Sequence, residues 1–180
     1  GLPRFPRPLV DLLAPSPYVA FQGGFDDPVL HGWHYYWKAT NLAGLSDDAI
    51  AVVADHAYAA SSPRSYAAMF HMGGAVARAP HDATAYAARD VAHNIIIHAA
   101  WLPHESTEHA AAETAWARRF LQALQPHRAG GVYVNFLDSD DDTSRVREAY
   151  GDQIYGRLAE VKAEYDPDNA FHHNKNIQPC

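Results

Sequence analysis

Residues 33–42 read WHYYWKATNL, and on this stretch the fold turns. Strict alternation sends Trp33, Tyr35 and Trp37 to one side and His34, Tyr36 and Lys38 to the other, so the run predicts a strand. One face can bury while the other presents polar groups and is a candidate binding wall. Other aromatic or branched runs bounded by Gly, Pro and Asp carry the same signal: YVAFQGGF (18–25), SYAAMFHMGGAVAR (65–78), ATAYAARD (83–90), AHNIIIHAAWL (92–102) and VYVNFLD (132–138). The Gly pairs that begin at 23, 73 and 130 are expected as bends in such strands.

Helical signals lie between these runs. SDDAIAVVADHAYAA (46–60) opens with Ser46 as N-cap and two acids in the first turn, then repeats apolar residues at helical spacing. A second helix is expected from about Ser106 to Leu124, where alanine gives high intrinsic propensity. A third covers SRVREAY and GDQIYGRLAEVKAEY and stops at Asp166-Pro167. Strands and helices do not alternate as regular βαβ units. The fold class that follows is α+β, an antiparallel sheet covered on one side by helices.

With 180 residues, 48% of them hydrophobic, the chain can bury one core of its own. A net charge of -7, with 14 Lys and Arg and no basic run, argues against nucleic acid and against an anionic membrane surface as partners. Cys180 is the single cysteine, which excludes an intrachain disulfide and a cysteine zinc site and points to a reducing, cytoplasmic compartment. No apolar run approaches the roughly 20 residues of a membrane span. Pro3, Pro6 and Pro8, followed by APSP (14–17), read as a linker or arm, so the domain proper is expected over 18–180.

The acids of SDDD (139–142) invite a metal site. Asp138, Asp140 and Asp142 match the first three positions of a calcium loop, but Thr143 stands where Gly is needed and Ala149 where the bidentate Glu belongs. A solvated turn whose acids favour the next helix N-terminus is the expectation instead. His104 and His109 are five apart and diverge by about 140° around a helix, which excludes a zincin pair. Neither His31 with His34 nor His172 with His173 has a third ligand nearby in sequence. No P-loop, dinucleotide fingerprint or nucleophile elbow occurs.

The chain end is more informative. YVNFLD (133–138), AYG (149–151), YGRLAEVKAEYDPDNAF (155–171) and NKNIQP (174–179) together resemble the C-terminal pattern of berberine-bridge-enzyme-like FAD-linked oxidoreductases, within the vanillyl-alcohol-oxidase superfamily. Upstream, YWKATNLAGLSDDAI (36–50) and HMGGAVARAPHDATAYAARD (71–90) resemble the same family's substrate domain. The resemblance implies that the sheet walls a substrate site over a flavin and that the C-terminal segment returns to complete the FAD site.

By this resemblance Tyr133 is the catalytic base that takes a proton from a substrate hydroxyl. A phenol with an ordinary pKa of about 10 can do so only where neighbours, such as a buried cation or a second Tyr, stabilise the phenolate. Asn135, Asn174 and Asn176 are implied as cofactor-binding. Alternation makes His34, Tyr36, His71 and Tyr86 candidate substrate-wall residues, with a packing role equally open. The implied function is the substrate-binding and catalytic-base portion of an FAD-dependent oxidoreductase acting on a hydroxyl of an alcohol, sugar or secondary metabolite. The FAD-binding domain is not represented in these residues, so the lone chain is expected to bind FAD weakly or not at all. The alternative is a stand-alone, non-enzymatic binding or self-associating domain, including a homo-oligomer.

Overall fold

Ile95, Ile96 and Ile97 lie almost wholly buried at the centre of the sheet. The computed structural model describes residues 14–24 and 29–180. The chain divides after Gly32 into two units. The described part of the first contains one short exposed helix, α1 (Tyr18–Gly23). A strand is expected there from its aromatics, but the Phe21 amide bonds back to the Pro17 carbonyl at 3.1 Å, and such a local bond needs no partner strand. Most of the arm expected over 1–17, and Phe25, lie outside the described residues.

The second unit carries the sheet. Its strands are β1 (His34–Leu42), β2 (Tyr66–His71) and β3 (His93–Trp101), all antiparallel, in the spatial order β1-β3-β2. Register fixes the faces: Tyr36 pairs with Ala99 and Lys38 with Ile97, whereas Trp37 and Tyr66 both pair with His98. Tyr36, Lys38, Ile95, Ile97 and Ala99 therefore share one face. Tyr35, Trp37, Tyr66, Phe70, Asn94 and His98 share the other.

Helices cover the first face. Helix α2 (Asp47–Tyr58) starts at Ser46, whose hydroxyl accepts the Ala49 amide proton at 3.2 Å, and α4 (Thr107–Ala123) starts at Ser106 in the same way through His109. Helix α4 lies across β3 and β1, and Trp116, Ala117, Phe120 and Leu124 pack on Tyr36, Leu42, Ile95, Ile97 and Ala99. Full burial of Phe120 and Leu124 contributes roughly 2 kcal/mol each. Glu113 is fully buried in this layer and accepts from the hydroxyls of Ser61 and Ser65. These two donors meet the carboxylate's demand for hydrogen bonds away from water.

The other face is covered in part. Ala39 packs with Val132, Leu137, Val146, Ala149 and Tyr155, from the loop after α4 and from α5 (Thr143–Tyr150) and α6 (Asp152–Tyr165). The single third helix expected from sequence is broken at Gly151, whose φ of 71° lies in the left-handed region. Residues 65–78 likewise divide: β2 ends at His71, Gly73 and Gly74 turn the chain at positive φ, and a one-turn helix α3 (Ala75–Arg78) follows. Residues 83–90 form no strand. They turn around Arg89, whose guanidinium donates to the Val76 carbonyl at 2.9 Å and the Thr84 hydroxyl at 2.6 Å.

The acidic turn is a structural latch and only in part a solvated turn. Asp142 caps α5, accepting from the Ser144 and Arg145 amides as its sequence position leads one to expect. Asp138 instead accepts the Trp37 backbone N–H at 2.8 Å, on the free edge of β1. Asp140 and Asp141 receive the Lys38 ammonium at 2.5 and 2.9 Å, with the Lys38 and Asp141 side chains only 7% and 8% exposed. Tyr36 donates to Asp140 at 2.7 Å, and Arg118 from α4 reaches both Tyr36 and Asp140. Burial opposes the charge on Lys38, but the two carboxylates hold its pKa above the ordinary value. Burial likewise opposes ionisation of Asp140, yet Lys38, Arg118 and Tyr36 hold its pKa well below the usual carboxylate range.

Two measurements test this packing. Lys38→Ala leaves Asp141 buried and short of its main partner, and urea titration is expected to show a loss of about 3 kcal/mol. Arg147→Ala, which breaks the exposed pair with Asp152, should cost less than about 1 kcal/mol; equal losses would show that the latch does not hold the fold. The second concerns His98, buried among the rings of Tyr35, Trp37 and Tyr66 at centroid distances of 4.4 to 5.0 Å, where burial lowers its pKa from 6.5 to about 4. The unfolded chain takes up that proton near pH 6.5, while the folded protein does so only near pH 4. Stability should therefore fall as pH drops from about 6.5 towards 4, and His98→Phe should flatten this part of the profile. An unchanged slope in the variant would exclude His98 as its source.

Candidate functional site

After α4 the chain passes a 3₁₀ turn (Gln125–His127) and returns along β1. The Ala129 amide bonds to the Asn41 carbonyl at 3.0 Å. Gly130 and Gly131 both have positive φ, and a Cβ on Gly131 would meet the Asn41 side chain at 3.4 Å. This close approach brings residues 132–137 onto the open face of the sheet. There VYVNFLD is not a strand: Phe136 and Leu137 bond back to Tyr133 and Val134, and Val134–Phe136 form a 3₁₀ turn. Branched and aromatic residues favour strands, but β1 offers its edge here to the Asp138 carboxylate, so no ladder forms.

The turn brings Tyr133 and Asn135 together by a route that alternation does not give. The Asn135 side-chain amide donates to the Tyr133 hydroxyl oxygen at 2.8 Å. Tyr133 also meets Phe136 and Tyr86 edge to face, with ring centroids 5.1 and 5.8 Å apart. These rings form one wall of an open cavity of about 460 Å³, completed by Phe70, Met72, Val76, Arg89 and Asn94. Its lining is largely apolar. Arg89 lies 5% exposed with its guanidinium 5.6 Å over the Tyr86 ring. The Tyr86 pKa stands above its ordinary value, chiefly through burial and then through Tyr133, with Arg89 acting in the opposite direction.

A second hollow, of about 640 Å³, adjoins the first at Phe136. Trp37, Asn135, Leu137, Asp138, Asn174 and Lys175 line it, and the Lys175 ammonium is bonded to the Asp138 carbonyl. That bond ties the C-terminal segment to the acidic turn. Asn174 sits there in a bend at φ 61°, exposed, while Asn176 is half-buried and does not line the hollow.

Of the residues singled out from sequence, Tyr133 and Tyr86 meet in the first cavity, and Asn135 and Asn174 in the second. His34, Tyr36 and His71 are elsewhere. All three belong to the helix-covered face by register. Tyr36 is buried and committed to Asp140 and Arg118, His34 is exposed beside Trp101, and His71 is exposed beside His93 at the end of β2. The polar set of β1 thus lies on the face that α4 covers, and the cavity uses the opposite face. Phe70, Arg89, Asn94 and Phe136 join the site without having been singled out. Arg89 lies within ATAYAARD, where a lone Arg in a small-residue run was the available signal. Among the described residues no cluster of three or more His, Cys, Asp or Glu has the geometry of a metal site, and no helix is long and apolar enough to cross a membrane.

Residues 132–178 match the family model described as berberine and berberine like. Over 179 residues the chain is 30% identical to an FAD-linked oxidoreductase of Dictyostelium discoideum, covering 97% of this chain and 37% of that protein. It is 29% identical over 175 residues to an uncharacterised FAD-linked oxidoreductase of Bacillus subtilis, covering 94% and 35% respectively. The chain thus spans about a third of the length of these relatives. Its fold is that of a segment of the berberine-bridge-enzyme-like protein 28 of Arabidopsis thaliana, with a TM-score of 0.73 at 16% identity over 83% of this chain and 34% of that one. With sequence matches along its length and the fold in agreement, the chain belongs to the berberine-bridge-enzyme-like family of FAD-linked oxidoreductases.

Proposed function

We propose that this chain supplies the substrate cavity and the proton-accepting residue of an FAD-dependent oxidation of a hydroxyl-bearing small molecule. The observation that carries the reading is Tyr133 in the cavity wall, its oxygen bonded by Asn135 and its ring set against Tyr86, with the buried Arg89 in the lining of the same cavity. The Asn135 amide donates to the oxygen that would carry charge once the substrate's proton has moved. Phe70, Val76 and Phe136 give the cavity around Tyr133 an apolar wall.

The residues of the second hollow fit one part of the cofactor. Trp37 and Phe136 present rings, and Asn135 and Asn174 present amides, a set suited to a planar heteroaromatic ring with a polar edge. Lys175, the one cation among the lining residues, is already committed to Asp138, so no free cation there meets a pyrophosphate. When bound, the flavin would supply the two-electron acceptor for the substrate carbon. Tyr133 would hold the proton, and Asn135 would keep the phenol oriented.

Two experiments test this. Titration of the purified chain with FAD, followed by flavin fluorescence, is expected to give no stoichiometric complex in the micromolar range; tight binding would mean that the chain holds a pyrophosphate site of its own. A chimaera that carries this chain in place of the matching segment of the Dictyostelium relative should reduce flavin anaerobically with an alcohol substrate. In it Tyr133→Phe should slow reduction by about a hundredfold or more, and an unchanged rate would overturn the base assignment.

A further inference from the structure

Two histidines meet on the helix-covered face of the sheet, at its open end. His71 closes β2 and lies directly opposite His93, the first residue of β3. The Met72 amide donates to the Ala92 carbonyl at 2.8 Å, which makes Met72 and Ala92 a hydrogen-bonded pair and leaves the neighbouring His71 and His93 a non-hydrogen-bonded one. In an antiparallel ladder the side chains of a non-hydrogen-bonded pair stand closest. His71 Nδ1 and His93 Nε2 are accordingly 3.4 Å apart, with ring centroids separated by 5.2 Å. His71 is exposed, whereas the Nδ1 of His93 is buried, so Nε2 is the nitrogen that His93 presents.

The 3.4 Å separation decides what this pair is suited to hold. A hydrogen bond from a nitrogen donor ordinarily spans roughly 2.7 to 3.2 Å, so the two rings are loosely placed for sharing one proton. A zinc ion holds imidazole nitrogens at about 2.0 to 2.1 Å, and two such ligands at a tetrahedral angle stand about 3.3 to 3.4 Å from each other. Ligands at the right angle of a square-planar ion would stand closer, at about 2.8 to 3.0 Å.

We propose that His71 and His93 bind a tetrahedral divalent cation of the zinc class, which clips the end of β2 to β3. Each neutral imidazole gives a lone pair, and the ring protons then sit on His71 Nε2 and His93 Nδ1. Among the described residues no three of His, Cys, Asp and Glu converge on a cation, so water fills the other two positions. The His93 proton is buried without an acceptor, and this cost, with two water ligands, holds the affinity to the micromolar range, below that of a closed structural site. The clip reaches the cavity from behind. Phe70 and Met72 flank His71, Asn94 follows His93, and all three line the cavity beside Tyr133. The cation itself lies on the opposite face and does not depend on what that cavity binds.

With histidine rings labelled with carbon-13 and zinc chloride as the probe, the 12 histidines report separately. His71 and His93 are expected to shift together, saturate at one equivalent and return on addition of EDTA. Exchange of the Met72 amide proton should slow when zinc is bound, because the end of the ladder opens less often. His71→Ala, a surface change that spares the core, should abolish the His93 shift, and His172→Ala should leave it intact. No joint shift, a shift of His172 and His173 in its place, or a His93 shift that survives His71→Ala overturns the site. Unchanged Met72 exchange at saturating zinc overturns the clip. None of these readouts involves flavin or Tyr133, so their failure is distinct from failure of the proposed oxidation.

Discussion

The Lys38 ammonium, held between Asp140 and Asp141, is the contact on which the placement of the site depends. Removing a lysine and a carboxylate from water is costly, and their attraction seldom returns much more than that cost. What the group contributes is position. Asp138 takes the free N–H of Trp37, Asp140 takes Tyr36 and Lys38, and Arg118 joins this turn to α4. Four residues of loop are thereby fixed against a strand edge and a helix at once. An edge that would otherwise be open to pairing is closed by carboxylates rather than by another strand. Tyr133 and Asn135 lie a few residues upstream, so their placement inherits the precision of this anchor.

The larger units of the fold were legible because their signals are local and repeated. Ser46 and Ser106 mark their helices by caps, and the isoleucines of β3 with the alternation of β1 mark the sheet. What was not legible is which face of β1 each neighbour would take. Alternation separates His34, Tyr36 and Lys38 from Trp33, Tyr35 and Trp37, but it does not say that the first set lies on the face that α4 covers. Tyr36 and Lys38 are buried because partners distant in sequence neutralise them: Asp140 and Asp141 meet Lys38, and Arg118 meets Tyr36. No window around residue 38 contains those partners.

The site shows the same division. The family motif singles out Tyr133 and Asn135, whereas neither the hydrogen bond between them nor the 3₁₀ turn that makes it could be anticipated, since VYVNFLD has strand composition. Arg89 and Asn94 were invisible for a different reason. Each takes its place in the cavity lining only through bonds to Val76 and Thr84, or to Asn41. Such bonds are a property of packing and have no pattern in sequence.

The strand order has a consequence for how the molecule assembles. β3 is the last of the three strands in the chain and the middle one in space, so β1 and β2 touch only through it. Neither can begin a ladder until residues 93–101 arrive, and β1 must wait across a separation of some fifty residues that includes α2. Assembly is therefore dominated by distant contacts and should be slow for a domain of this size. During synthesis the first two strands emerge without a mate, and their aromatic faces stay exposed until β3 is made.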